Sequence, residues 1–285
     1  MIFPTHQIWT PIKILLALLL AGCAAAPAGS TPTLTMPMLP TLTQTRPAPS
    51  PVPSQTASPT EAPSTAPAPR ACSPLEGFDR AQLLAAVSNP FHPPPPGSDQ
   101  PHAGVDLAVT APGSKVAQAG HAVQAFFAGR VAAVVRDRFP FGNALIVETP
   151  LQDLALPAGF GVPTLAPTPA AIQALTCPAP APTQSDFAAP RSLYILYAHL
   201  PAAPAFALGD ALSCGQTLGQ VGMSGNALNP HLHFETRLGP PGLSFASLAH
   251  YDVSASPQEM AAYCDWSVRG IFQLVDPLPW IELVK

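Results

Sequence analysis

Asn229-Pro230-His231-Leu232-His233-Phe234-Glu235 is the stretch on which the reading of this chain turns. The residues after Pro230 alternate polar and apolar, the period of a strand. Residues two apart on a strand share a face, so His231, His233 and Glu235 point one way and Leu232 and Phe234 point the other, into a core. Two imidazoles side by side cost desolvation unless a metal or a proton transfer uses them.

Other short apolar runs, bounded by Gly, Pro and Asn, surround this one: Val105 to Val109, Ala122 to Phe127, Arg130 to Val135, Ala144 to Thr149 and Leu193 to Ala198. Runs of this length between turn formers are strands. A short helix is expected over Asp79 to Val87, with an aspartate near its start and apolar residues three and four apart. The expected fold is therefore mainly β, a single domain with a short N-terminal helix. Two stretches interrupt it and are read as loop insertions. Residues 150–190 are proline-rich, and residues 239–270 include one helical turn or more around Pro257 to Tyr263. The first insertion stands as a candidate cover for any groove. No internal repeat of solenoid spacing occurs.

Two more histidine settings carry chemistry. In His102-Ala103-Gly104-Val105-Asp106 a loop enters a strand, where the imidazole and the carboxylate can converge on one ion. Tyr197-Ala198-His199-Leu200 ends an apolar run with a histidine. Zinc suits such a set: three nitrogen or oxygen ligands with a fourth position left for water. Further imidazoles near that water can remove a proton or stabilise an oxyanion. His92, His121 and His250 have no companion motif and are read as loop or packing residues. No HExxH occurs, and Gly222-Met223-Ser224-Gly225 is not a GxSxG nucleophile elbow.

In this order, His-x-Gly-x-Asp, Tyr-x-His-Leu and Gly-x-x-Gly ahead of Pro-His-Leu-His-Phe-Glu resemble the motifs of the lysostaphin/LytM-type zinc metallopeptidases. The resemblance spans about residues 90–285 without the two insertions. It takes in Gly129-Arg130-Val131, Gly142-Asn143, Gly215-Gln216-Thr217-Leu218-Gly219 and the closing Val275-Asp276-Pro277-Leu278. It implies an antiparallel β-sheet domain with zinc in a groove and hydrolysis of peptide bonds in peptidoglycan stems or cross-bridges. Carried over motif by motif, His102, Asp106 and His233 would hold Zn2+, while His199 and His231 would flank the water as general base and oxyanion stabiliser. Tyr197 receives no role, and Glu235 is either a carboxylate orienting a ligand or a solvent-exposed residue. Ala227, Leu228 and Asn229 stand where the family usually has Ser, Thr and Gly, and Pro101 stands where glycine is frequent, so the departures fall on the groove wall and on substrate choice. The other functions open to such a chain are a zinc-less domain that binds or activates other wall hydrolases, and an exported protease of non-wall proteins. Retention of all five polar residues favours catalysis over the first.

Further out, 40 of the 285 residues are proline, far above ordinary usage, and the excess is concentrated outside the strand runs. Lys13 ahead of Ile14 to Leu20 and then Ala21-Gly22-Cys23 reads as an export signal over residues 1–22. Its end resembles a bacterial lipobox, which implies a lipidated Cys23 and membrane anchoring. Residues 23–71, rich in Ala, Pro, Ser and Thr, read as a disordered stalk with a reach on the order of 100 Å. Residues 72–285 are the expected domain. A net charge of −4 gives no footprint for nucleic acid, and no apolar run reaches the ~18 residues of a membrane span. Export favours disulfides among Cys72, Cys177, Cys214 and Cys264. The expected pairs are Cys72 with Cys264, clamping the domain ends, and Cys177 with Cys214, pinning the first insertion.

Overall fold

The computed structural model describes residues 71–94, 100–162, 177 and 191–285. The chain divides into two units, Met1–Glu61 and Ala62–Lys285, and every described residue lies in the second. The signal, the lipidated cysteine and nearly all of the stalk lie outside the described residues, as does most of the first insertion. No helix among the described residues is long and apolar enough to cross a membrane.

In chain order the elements are α1 (Arg80–Ala85), β1 (Val87–Asn89), β2 (Val105–Leu107), β3 (Ala122–Gln124), β4 (Gly129–Arg138), β5 (Gly142–Pro150), β6 (Ser192–Leu200), β7 (Ala211–Leu212), β8 (Thr217–Gln220), β9 (Leu232–Gly239), α2 (Pro257–Ser267), β10 (Gln273–Val275) and α3 (Leu278–Ile281). An eight-stranded antiparallel sheet runs β1-β2-β9-β6-β5-β4-β7, with β10 also paired to β9. β3 and β8 form a separate two-stranded sheet. The mainly β, antiparallel expectation is what the chain adopts. The expected strand over Ala122 to Phe127 is shorter than its apolar run, because Phe126 and Phe127 leave β3 to fill the core.

Both faces of the large sheet are covered, which is why β6 is buried along its whole length and reads as one apolar run. One face carries Val105, Leu145, Val147, Ile195, Tyr197, Leu232 and Phe234, packed with Leu83 of α1, the small sheet and Trp280 of α3. The other carries Ala133, Val135, Ile146, Tyr194, Leu196 and Ala198 beneath Tyr263 and Trp266 of α2 and Phe272.

The second insertion is therefore more than a loop. Ser256 and Glu259 form a capping box around Pro257, starting an 11-residue helix whose Tyr263, Cys264 and Trp266 are buried. The helix starts where the sequence places one and runs past Tyr263 to Ser267 because Trp266 also packs into the core.

The disulfide pairing differs from expectation: Cys72 bonds Cys214 and Cys177 bonds Cys264. The sheet itself explains the exchange. Cys72 and Cys214 both lie against Phe126, where the Cys72 amide donates to its carbonyl at 2.8 Å, on the face built around α1 and α3. Cys264 belongs to α2, and Cys177 packs on the cluster beneath that helix, on the opposite face. Sheet layers pack about 10 Å apart, and a disulfide spans only about 4.4–6.8 Å between Cα atoms, so Cys72 cannot reach Cys264.

Candidate metal centre

Strand β9 is central, and its register assembles the site. His233 lies opposite Asp106 of β2 on one side and opposite Ala198 of β6 on the other. The approach of β2 to β9 depends on Gly104, since a Cβ there would sit 2.6 Å from the Phe234 carbonyl oxygen and 2.9 Å from the His233 ring. His102 is held in the segment before β2 by reciprocal backbone hydrogen bonds with His92, both 3.1 Å. His92 is thus a loop residue, as read from sequence, but its backbone positions a residue of the site.

His199 departs from strand geometry. It has φ +65°, in the left-handed region, where β6 bulges against β5 between the pairs Asn143–Leu200 and Leu145–Tyr197. A bulge re-aims side chains, and here it turns His199 out of the strict alternation and into the cleft over β9. Nothing in the sequence of this strand marks the bulge.

Three ligand atoms converge. Asp106 Oδ1 lies 3.0 Å from His102 Nε2 and 3.0 Å from His233 Nδ1, and the two nitrogens are 3.2 Å apart. His231 Nε2 lies further out, 3.4 Å from the same Oδ1. Each ring is fixed by its other nitrogen. The Nδ1–H groups of His102, His199 and His231 donate to the carbonyls of Pro90, Ser224 and Asn229, each at 2.8 Å. A carbonyl only accepts, so in the neutral rings the lone pair is on Nε2. In His233 the order reverses: Nε2–H donates to Glu235 Oε2 at 3.2 Å, which leaves Nδ1 as the lone pair facing Asp106. Asp106 is oriented in turn by Asn89, whose Nδ2 donates to Oδ2 at 3.0 Å.

This donor set fits a zinc ion. Tetrahedral arms of about 2.0–2.2 Å imply ligand edges of about 3.3–3.6 Å, slightly wider than the triangle present, and two neutral imidazoles plus one carboxylate are borderline-hard ligands. The electrostatics also favour a cation. Burial raises the Asp106 carboxyl, but hydrogen bonds from His102 and His233 outweigh it and hold the group well below the usual carboxylate range. Burial opposes a charge on His233, yet the Asp106 and Glu235 carboxylates raise it to about 9. The proton favoured between His233 and Asp106 occupies the position a metal would take, so binding releases it. Burial, with His233 and His231 nearby, pushes His199 down to about 3.

Glu235 is 1% exposed, which removes the solvent-exposed alternative. Besides His233 it pairs with Arg237 Nε, and the Arg237 guanidinium lies 5.0 Å over the Trp266 ring of α2. Burial raises the Glu235 carboxyl, but Arg237 and His233 outweigh this and lower it. Arg237 and Asn89 were missed from sequence, although Arg237 shares the strand face of His233 and Glu235 by its spacing.

The cleft above the cluster encloses about 290 Å³ and is lined by all five histidine and aspartate residues singled out from the sequence. Its walls include Pro101 and Leu228, where the sequence departs from the family pattern, and Tyr263 and Ser267 of α2. No described residue of the first insertion lines it. His92, His121 and His250 stand outside it, and His121 donates to the Glu76 carbonyl at 2.7 Å.

No family model matches this chain, and none of the curated proteins does. Solved structures similar to it include a zinc containing peptidase from Vibrio cholerae, at 21% identity over 59% of this chain and 37% of that one, TM-score 0.33. The catalytic domain of the M23 protein EnpA from Enterococcus faecalis is 18% identical over 63% of this chain and 93% of that one, TM-score 0.33. The catalytic domain of the antimicrobial peptidase lysostaphin from Staphylococcus simulans is 18% identical over 72% of this chain and 99% of that one, TM-score 0.36. This chain thus spans well under half of the Vibrio protein and nearly all of the two catalytic domains. Solved structures similar to this chain thus include an M23 protein and lysostaphin.

Proposed function

We propose that this chain is a zinc-dependent endopeptidase that hydrolyses peptide bonds in peptidoglycan stems or cross-bridges. In this reading His102, Asp106 and His233 hold the metal, and His199 and His231 are the catalytic pair. The observation that carries it is the convergence of three ligand atoms whose lone pairs are each set by a separate hydrogen bond, beside two further imidazoles fixed in the same way. Ligand histidines oriented through their second nitrogen are characteristic of working metal sites.

Zinc held there supplies a Lewis acid that polarises the scissile carbonyl and brings the pKa of a water down to about 7. The chain's own side chains do the rest. His199 and His231 each keep Nδ1–H on a backbone carbonyl, so each can take or return a proton at Nε2 without turning its ring. Between them they accept the proton of the attacking water, hydrogen-bond the developing oxyanion and return a proton to the leaving amine as the C–N bond breaks. Glu235, backed by Arg237, keeps the His233 proton on Nε2 and its lone pair on the ligand side.

The same reading makes residues 1–22 an export signal, Cys23 a lipid anchor and residues 23–71 a spacer that holds the 72–285 domain at the membrane within reach of the cell wall. Two disulfides accord with an oxidising compartment.

The test is release of new free amines from purified peptidoglycan by the zinc-loaded protein. Wild type releases them, and His231→Ala and His233→Ala both abolish release. Only His233→Ala also loses most of its zinc by metal analysis. Equal zinc loss in both variants would make His231 a ligand, and no release by wild type would overturn the wall-peptidase reading.

A further inference from the structure

Helix α2 gives the cleft a property that the proposed function does not contain. His233 is 8% exposed at the cleft, and beyond it β9 passes under cover. Glu235 is 1% and Arg237 3% exposed, with Trp266 lying on the guanidinium and Phe272 supplying a carbonyl to it at 3.4 Å. Where the floor passes under the helix, Tyr263 and Ser267, one turn apart on α2, form the wall.

This wall is built into the core. Tyr263 is 2% exposed and packs on Phe141 at 5.8 Å and on His250 at 5.0 Å, while the neighbouring Cys264 is bonded to Cys177. Moving α2 aside would expose Trp266, which is fully buried, and the Glu235–Arg237 pair, so the wall is not a side chain that a substrate can brush away. Across the cleft the situation reverses: Leu228 is 98% exposed on the rim beside Asn229.

Charge narrows the substrate further. Among the described residues lining the cleft there is no lysine or arginine, and its two carboxylates, Asp106 and Glu235, are engaged by histidines and Arg237. Apart from the metal itself, which the scissile carbonyl and the water would occupy, an acidic side chain near the scissile bond would find no lysine or arginine among the described wall residues to pair with, and desolvating it unpaired is costly. At about 290 Å³ the cleft sits at the lower end of ligand pockets, room for a few residues rather than a long extended strand.

We infer that the cleft is blind on the α2 side and that its substrate is a short, uncharged peptide cleaved close to one of its ends. A chain running over the cluster toward Glu235 must stop at Tyr263, and the rest of it leaves past Leu228. This rests on the peptidase reading and narrows its substrate: a stem peptide with a free end meets the requirement, and a cross-bridge tied at both ends or a loop within a folded protein does not.

The experiment is product mapping by mass spectrometry with the zinc-loaded protein and alanine- and glycine-rich peptides of graded length. A parallel set carries folded protein fused at one end or at both. The expected result is a cleaved bond that stays within about three residues of the same end at every length. Fusion at that end, or at both, lowers the rate at least tenfold, and fusion at the far end does not. Glutamate beside the scissile bond lowers it by a similar factor. In Tyr263→Ala the penalty for double fusion shrinks, and if that variant does not fold, the wild-type comparison decides alone. Cleavage at internal bonds of long peptides, or equal rates with both ends fused, overturns the blind cleft while leaving the peptidase reading intact. Absence of cleavage in every peptide and in peptidoglycan overturns both.

Discussion

Gly104 shows how little room the site leaves. An added methyl would press on the Phe234 carbonyl and on the His233 ring, neither of which can yield without moving β9. Gly104→Ala is expected to displace His233 from Asp106 and weaken zinc binding about 10–100-fold, the range seen when support around a ligand is lost. Chelator competition measures this, and unchanged affinity would mean that β2 can retreat from β9 without disturbing the ligands. Glu235 illustrates the complementary demand. It is buried with two partners, His233 and Arg237, so it orients the ligand only because a cation behind it compensates its burial.

At the scale of elements, each disulfide joins two segments on one face of the sheet. Cys72–Cys214 ties the start of the domain to the turn before β8, and Cys177–Cys264 ties the first insertion to α2. Loop closure over sequence separations of 142 and 87 residues removes roughly 3–5 kcal/mol each from the unfolded state's advantage. Cys72→Ala/Cys214→Ala should lower the melting temperature while leaving zinc affinity within twofold, because neither cysteine is near the cluster. A large loss of zinc affinity in the folded variant would contradict that separation. Alternation in Leu232 to Thr236 and the apolar runs around Leu145 and Ile195 made the strands legible, since each follows from local period and turn residues, whereas their antiparallel pairing was expected only from the family resemblance. Less legible was what depends on distant partners. The His199 bulge is defined only by pairing with Asn143 and Leu145, and the cysteine pairing only by which face each segment covers. The five polar residues were readable because their motifs are local, whereas Asn89 acts from a strand 17 residues away.

For the molecule as a whole the site is a source of pH dependence. His199 is held near 3 against a free value of 6.5, so between these the unfolded chain binds the extra proton and stability falls as pH falls. His233 is raised to about 9, so in the metal-free protein its contribution is full below 6.5 and is lost as pH rises toward 9. The metal-free protein should therefore be most stable near pH 6–7, with limbs of at most about 1.4 kcal/mol per pH unit for each proton. Zinc should flatten the alkaline limb, since the liganded ring carries no proton on Nδ1 to lose. Melting temperature against pH with and without zinc checks both limbs, and an alkaline decline that persists under saturating zinc would contradict the assignment of His233.

The placement of the ligands on β9 bears on assembly as well as on chemistry. His233 and Glu235 face the cleft, and Leu232 and Phe234 face the core. A slip of one residue in pairing would bring Leu232 or Phe234 beside Asp106 and drive His233 and Glu235 into the apolar layer. Only the correctly zipped sheet can present the cluster, so under the proposed function ion capture would proofread the strand register. A chain that has paired wrongly forfeits the stabilisation that the bound metal confers on the right one.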